Sequence, residues 1–117
     1  MKKIAILNCR KAIRVCAGAS CLQALNKRTG KFGQYDGEEV ELCAFWYCNG
    51  CDAPEDDAGL REKIDRVKSL GIEKLHLGVC TRLTATAGGP ECPTITKIAE
   101  EFEAEGVEVI RGTHPSH

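Results

Sequence analysis

The 117-residue chain lacks any long hydrophobic run. Its amino-terminal apolar stretch covers only residues 4–7, which is too short for a signal peptide, and no later stretch is long enough to span a membrane. The chain also lacks a surplus of charge of either sign, since its net charge is -1. Without a basic surplus, nucleic acid and anionic membranes are poor candidates for partners. We therefore expect a cytoplasmic protein.

The sequence also has no internal repeat, no low-complexity segment and no linker. Its 43% of hydrophobic and 28% of charged residues are normal for a soluble globular protein. A chain of this length can bury an ordinary core without covalent cross-links. We expect residues 1–117 to form a single cysteine-rich domain.

Eight cysteines are the unusual feature of the composition. In an oxidising compartment they would indicate disulfides, but a domain of this size with clear helix and strand patterns does not need them. In a reducing cytosol, a dense set of cysteines more often binds metal or performs catalysis. Metal or cluster binding is therefore the leading interpretation, with thiol redox chemistry and inert buried thiols as the alternatives.

Short apolar segments alternate with segments of helical period along the chain. The polar stretch at residues 31–39 is predicted to be a surface loop. The predicted helices run from Ser20, the N-cap of a capping box, to about residue 28, from Asp52 to Gly71, and from Pro93 to near Gly106. The predicted strands are residues 3–9, 40–47, 74–79 and 107–110.

This alternation predicts an α/β fold, with a four-stranded parallel sheet covered by three helices on its two faces. The expected strand order is 2-1-3-4, as in a shortened flavodoxin-like or Rossmann-like domain. In such sheets ligands bind beyond the carboxyl ends of the strands, where the strand order reverses. That point lies here between the first and third strands.

The thiols converge on that edge. Cys48 and Cys51, separated by Asn49 and Gly50, follow the second strand and can bind one metal ion or close into a disulfide. Cys9 and Cys80 stand at the carboxyl ends of the first and third strands. The predicted principal metal ligands are Cys9, Cys48, Cys51 and Cys80.

Further candidates lie in loops or at helix starts on the same edge. Cys21 falls in the first turn of a helix, where free amides and the dipole favour a thiolate. These residues are expected to form a second metal site or to surround the first: Cys16, Cys21, Cys92 and His114. In contrast, Cys43 and His76 lie within strands and are expected in the core, and Trp46 and Tyr47 are expected to pack.

Two other functions remain open from the residues alone. The sequence from Trp46 to Cys51, with a helix predicted to follow, looks like a thioredoxin-type redox site, which would make the chain a thiol–disulfide oxidoreductase with a small-molecule or protein redox partner. That fold, however, has a mixed sheet and a proline loop beside its disulfide, and neither is evident here. A metal carrier or sensor is the second alternative.

The pattern resembles the CGGC-domain family of small cysteine-rich proteins. The resemblance implies a metal-binding domain, with zinc suggested by the cysteines and histidines of the family. Asn49 stands where the name motif of the family has its first glycine. Four thiolates suit structural zinc or an iron–sulfur cluster, and the sequence does not choose between them. The matching elements are Cys9, Cys16-Ala-Gly-Ala-Ser-Cys21-Leu22, Cys48-Asn49-Gly50-Cys51, Cys80 and Gly112-Thr113-His114.

Overall fold

The computed structural model describes residues 2–10, 19–49, 57–78 and 93–111. In chain order the elements are β1 (Lys2–Asn8), α1 (Ala19–Lys27), a 3-10 helix (Gly30–Tyr35), β2 (Val40–Tyr47), α2 (Ala58–Ser69), β3 (Lys74–Leu77), α3 (Pro93–Ala104) and β4 (Glu108–Arg111). The four strands form one sheet in the order β2-β1-β3-β4, and every neighbouring pair is parallel. The predicted α/β fold and strand order are confirmed.

The central strand β1 is buried on both faces of the sheet. Its alternating side chains divide between two core clusters, because successive residues of a strand face opposite sides. Ala5 and Leu7 belong to one cluster, and Ile4 and Ile6 belong to the other. All four side chains are fully buried. This double burial explains why β1 is a continuous apolar run rather than an alternating one.

The first face of the sheet is covered by α2 and α3. Both helices bury the apolar stripes that their sequences predict, with Ile64 and Val67 from α2 and Ile95, Ile98 and Phe102 from α3. Full burial of one such aliphatic or aromatic side chain contributes roughly 1.5–3 kcal/mol of stability. These two stripes make this face the larger part of the core.

The second face is covered by α1 and the 3-10 helix. The prediction of a surface loop over residues 31–39 is wrong for its first half, because Phe32 and Tyr35 are both buried. A 3-10 helix has three residues per turn, so residues three apart lie on one side. The two aromatic rings therefore reach the core together, while the intervening polar residues stay outside.

Two predicted helix starts also need correction. α1 begins at Ala19, so Ser20 lies inside the helix and is not its N-cap. α2 begins at Ala58 instead of Asp52, and its N-cap is Asp57. The Asp57 Oδ1 atom accepts a hydrogen bond of 3.0 Å from the Gly59 amide, which supplies the partner that a free helix amide requires.

The register between β1 and β2 shifts by one residue in the middle of the strands. Ile4 pairs with Leu42, whereas Ala5 pairs with Ala44, so Cys43 is an extra residue without a partner on β1. This is the arrangement of a β-bulge. None of the helices in the described ranges has the length and apolarity that a membrane crossing requires.

Candidate thiol site at the carboxyl edge of the sheet

Cys9 and Cys48 follow the carboxyl ends of the adjacent strands β1 and β2. The last paired residues of the two strands are Asn8 and Tyr47. The Cys48 amide donates to the Asn8 carbonyl oxygen over 3.3 Å. Cys9 and Cys48 are 6% and 4% exposed, so both are buried. The structure therefore brings these two predicted site residues to one place at the edge of the sheet.

The backbone beyond Cys9 also contacts Cys48. The Arg10 amide donates to the Cys48 sulfur over 3.5 Å. Cys48 thus bonds to the backbone on both sides of Cys9. Its amide bonds to Asn8, and its sulfur bonds to Arg10.

The bulge at Cys43 determines that the two thiols are neighbours. After the bulge Asn8 pairs with Tyr47, and the next residues along the strands are Cys9 and Cys48. If the register of Ile4 and Leu42 continued along the strands without the bulge, Cys9 would lie beside Tyr47. A slip of one residue also turns every following side chain to the other face of the sheet. The bulge therefore sets both the position of Cys48 and the face of the sheet on which its side chain lies.

Cys21 lies in the first turn of α1, as predicted, and is 3% exposed. It packs with Ile4 and Ile6 in the cluster on the second face of the sheet. Cys48 belongs to the cluster on the first face. The structure therefore places Cys21 and Cys48 in core clusters on opposite faces.

The other predicted ligands lie outside the described residues: Cys16, Cys51, Cys80, Cys92 and His114. Within the described ranges, no group of three or more histidine, cysteine or acidic side chains could hold a metal ion, and no disulfide joins two cysteines. β3 runs level with β1, because the Gly78 amide donates to the Leu7 carbonyl oxygen over 2.9 Å. The third strand therefore reaches the same edge as β1 at Gly78, and Cys80 follows Val79 in the sequence.

A polar network that sequence reasoning missed surrounds Asn49. Its Oδ1 atom accepts from the Lys63 ammonium over 2.6 Å, and its Nδ2 atom donates to Asp57 Oδ2 over 2.8 Å. Lys63 also donates to the Tyr47 carbonyl oxygen over 3.0 Å. The Arg10 guanidinium donates to the Asn49 carbonyl oxygen over 3.3 Å. Charged groups from α2 and from the end of β1 therefore hold the backbone on both sides of Cys48.

The electrostatics of this network favour an ionised Asp57. The hydrogen bond from the Asn49 amide is the main cause that lowers the Asp57 pKa, with smaller contributions from backbone amides at the start of α2 and from Lys63. In the sequence, the position of Lys63 on α2 is the feature that could have indicated its role in this network. It lies three residues after Leu60 and four before Val67, at the border of the apolar stripe of α2.

The residues predicted to be core are confirmed as core or partly buried packing residues. Cys43 is half-buried, and burial, with the nearby Glu41 carboxylate, raises the pKa of its thiol. His76 is fully buried, with its Nε2 atom 2.6 Å from the Tyr35 hydroxyl. Trp46 packs against Phe102, with the ring centroids 6.1 Å apart. These residues support the fold beneath the thiol edge.

Comparison with known proteins identifies the family. The model of the CGGC domain matches residues 3–114. The chain belongs to the CGGC-domain family. This CGGC domain is also 35% identical to an uncharacterized protein of Methanocaldococcus jannaschii, over 96% of this chain and 86% of that protein. No solved structure gives a significant match.

Proposed function

We propose that this CGGC domain holds a thiolate-ligated metal centre, either zinc or an iron–sulfur cluster, at the carboxyl edge of its sheet. The observation that carries the proposal is the pair of buried thiols, Cys9 and Cys48, at the ends of the adjacent parallel strands β1 and β2. Thiolates are soft ligands that select zinc, copper(I) and iron–sulfur clusters over hard cations. The donor set therefore fits the proposed group.

Cys9, Cys48, Cys51 and Cys80 are the ligands of the proposed centre. Four cysteines complete a tetrahedral zinc site or hold one cluster. Cys51 belongs to the Cys-x-x-Cys motif with Cys48, and Cys80 follows the strand that is level with β1. Cys16, Cys21, Cys92 and His114 are proposed to form a second site or to surround the first. The cysteine content favours a reducing compartment, and we propose that the protein works in the cytoplasm.

Thiol–disulfide exchange by Cys48 and Cys51 has less support. A thioredoxin-type site places its reactive thiol at the start of a helix, where the amides stabilise the thiolate. Here α2 begins only at Ala58, beyond the motif, and its N-cap is Asp57. All strand pairs that the structure describes are parallel, whereas the thioredoxin-type sheet is mixed. These differences favour metal binding over redox exchange.

Anaerobic purification, followed by metal and sulfide analysis and a visible spectrum, identifies the bound group. Zinc without sulfide indicates a mononuclear site, whereas iron with inorganic sulfide and visible absorption indicates a cluster. Trp46, the single tryptophan of the chain, lies two residues before Cys48, so its fluorescence gives an independent signal of Co²⁺ binding. Folded protein with neither metal nor sulfide, and with no uptake of added Zn²⁺, would contradict the proposal.

Substitution of single cysteines tests which thiols bind the metal. Cys48→Ser and Cys51→Ser are each expected to lose most of the bound metal, because each removes a soft ligand. Cys43→Ala is the matched control, because it removes a half-buried thiol within the sheet and should keep the metal. Unchanged metal content in both serine variants would show that the Cys-x-x-Cys motif is not the site.

A further inference from the structure

Lys63 bonds to the residues on both sides of Cys48. Its ammonium lies 3.0 Å from the Tyr47 carbonyl oxygen and 2.6 Å from Asn49 Oδ1. The lysine is half-buried on α2. One side chain on a helix thus connects to the chain immediately before and immediately after a proposed metal ligand.

Asn49 is chemically matched to its two partners. An ammonium can only donate and an ionised carboxylate can only accept, so the amide oxygen must face Lys63 and the amide nitrogen must face Asp57. An aspartate at this position would set two carboxylates against each other. A glycine or alanine would leave both partners without this bond. The side chain that replaces the first glycine of the family motif therefore has a specific role here.

The start of α2 is shaped to admit this contact. Asp57 uses one carboxylate oxygen for Asn49 and the other for the Gly59 amide. A Cβ atom on Gly59 would lie 3.2 Å from Asn49 Nδ2 and 3.3 Å from Asp57 Oδ1, which is tighter than ordinary contact. Gly59 therefore leaves the space in which the Asn49 amide meets the Asp57 carboxylate.

We propose that Lys63, Asn49 and Asp57 form a positioning network that holds Cys48 in its metal-ligating conformation before the metal arrives. This inference rests on the proposed function. Fixing a backbone residue in one conformation costs conformational entropy. When the network has already fixed the chain around Cys48, metal binding does not have to supply that cost.

The test compares two lysines on the same helix. Lys63→Met removes the ammonium and keeps the aliphatic stem. Lys68→Met is the matched control, because Lys68 instead pairs with Glu101 of α3 and with Glu105, which follows the end of α3, at 3.6 and 4.0 Å. Zn²⁺ affinity is measured by competition with a chromophoric chelator on fully reduced protein. Groups that orient metal ligands typically contribute tenfold to a hundredfold to affinity, and we expect a loss of about that size in Lys63→Met alone.

Two further measurements distinguish loss of the positioning of Cys48 from loss of a metal ligand and from general destabilisation of the fold. Asn49→Ala should weaken Zn²⁺ binding to a similar extent, and the Lys63→Met/Asn49→Ala double variant should lose little more, because both changes break one network. At saturating Co²⁺, both single variants should keep the wild-type thiolate-to-cobalt absorption, because no ligand is lost. If Lys63→Met does not fold, Asn49→Gly breaks the same contacts from the other side without changing α2.

The outcomes distinguish failure of this inference from failure of the proposed function. Equal affinities in Lys63→Met and Lys68→Met, or a double variant that loses the product of the two single losses, would overturn the positioning network alone. Folded wild-type protein that binds neither Zn²⁺ nor Co²⁺ would overturn the metal centre and the network with it. Loss of Zn²⁺ affinity in both Cys48→Ser and Lys63→Met would support the metal centre and the positioning network.

Discussion

His76 and Tyr35 form a buried polar pair on the second face of the sheet. The His76 Nε2 atom lies 2.6 Å from the Tyr35 hydroxyl, and the His76 ring packs on Phe32 with the centroids 4.4 Å apart. Both side chains are fully buried. A buried hydroxyl and imidazole that bond to each other avoid the cost of leaving either group without that partner. His76 therefore serves the core, away from the thiol edge.

Tyr35 should give the protein an alkaline dependence of stability. Burial raises its pKa, and nearby carboxylates of Glu108, Glu38 and Glu73 raise it further. The unfolded chain, with a tyrosine pKa of about 10, therefore loses its proton first. The contribution is fully present below about pH 10 and declines as the pH rises above it. Denaturant unfolding between pH 8 and pH 11 measures this decline.

Tyr35→Phe is the control variant for this prediction. It should lose about 1–3 kcal/mol at neutral pH, because His76 loses a buried hydrogen-bond partner. Its stability should then fall less steeply at alkaline pH than that of the wild type, since the group that titrates is gone. Parallel pH profiles for the two proteins would show that Tyr35 does not carry the effect.

Among the elements that the structure describes, each of the three α-helices is followed by a residue with left-handed backbone. Gly71 and Gly106 follow α2 and α3 with φ angles of 72° and 86°, and Arg28 follows α1 with a φ of 56°. After α3, the Gly106 amide donates to the Glu103 carbonyl oxygen and the Val107 amide donates to that of Phe102. This is the Schellman arrangement, which satisfies the last carbonyls of a helix.

Alanine at these helix ends should destabilise the protein. Gly71→Ala and Gly106→Ala place a Cβ atom in left-handed backbone, which costs roughly 1–2 kcal/mol per residue. Gly33→Ala is the matched control, because Gly33 has no positive φ and its added Cβ would meet only the Arg28 carbonyl oxygen, at 3.5 Å. It should be neutral or stabilising by up to about 1 kcal/mol. Thermal unfolding compares the three, and equal midpoints would contradict the helix-end argument.

At the scale of the whole molecule, the core is built largely without the thiol edge. The cluster beneath α2 and α3 and the cluster beneath α1 and the 3-10 helix are both dominated by aliphatic and aromatic side chains. Cys48 and Cys21 are each one member of a larger cluster. The fold should therefore depend on apolar burial rather than on metal ligation.

Removal of the proposed metal by chelation should leave the secondary structure in place. We expect the far-ultraviolet circular dichroism of metal-free, fully reduced protein to match that of the metal-bound form. The thermal midpoint should be lower, because a ligand that binds only the native state stabilises it. Loss of the dichroism signal on chelation would indicate instead a zinc-finger-like site in which binding drives folding.

The layers and the strand order could be predicted from the amino-acid sequence. The apolar run of β1 and the helical stripes of α2 and α3 are local patterns, and the alternation of strands with helices leaves few parallel topologies. It also indicated that Cys9 and Cys48 would share the carboxyl edge, because parallel strands end at one side of a sheet. These features follow from the periodicity of apolar residues, which can be read from the sequence without knowledge of tertiary contacts.

The details that shape the candidate site depend on tertiary contacts that local sequence patterns do not reveal. The bulge at Cys43 depends on how β1 and β2 pair, and it alone sets Cys48 beside Cys9. The start of α2 at Ala58 instead of Asp52, with Asp57 as the N-cap, accompanies the hydrogen bond between Asp57 and Asn49. Lys63 looks like an ordinary surface lysine until α2 is packed against the end of β2. Each of these rests on contacts between residues distant in the chain, and local sequence patterns do not encode such contacts.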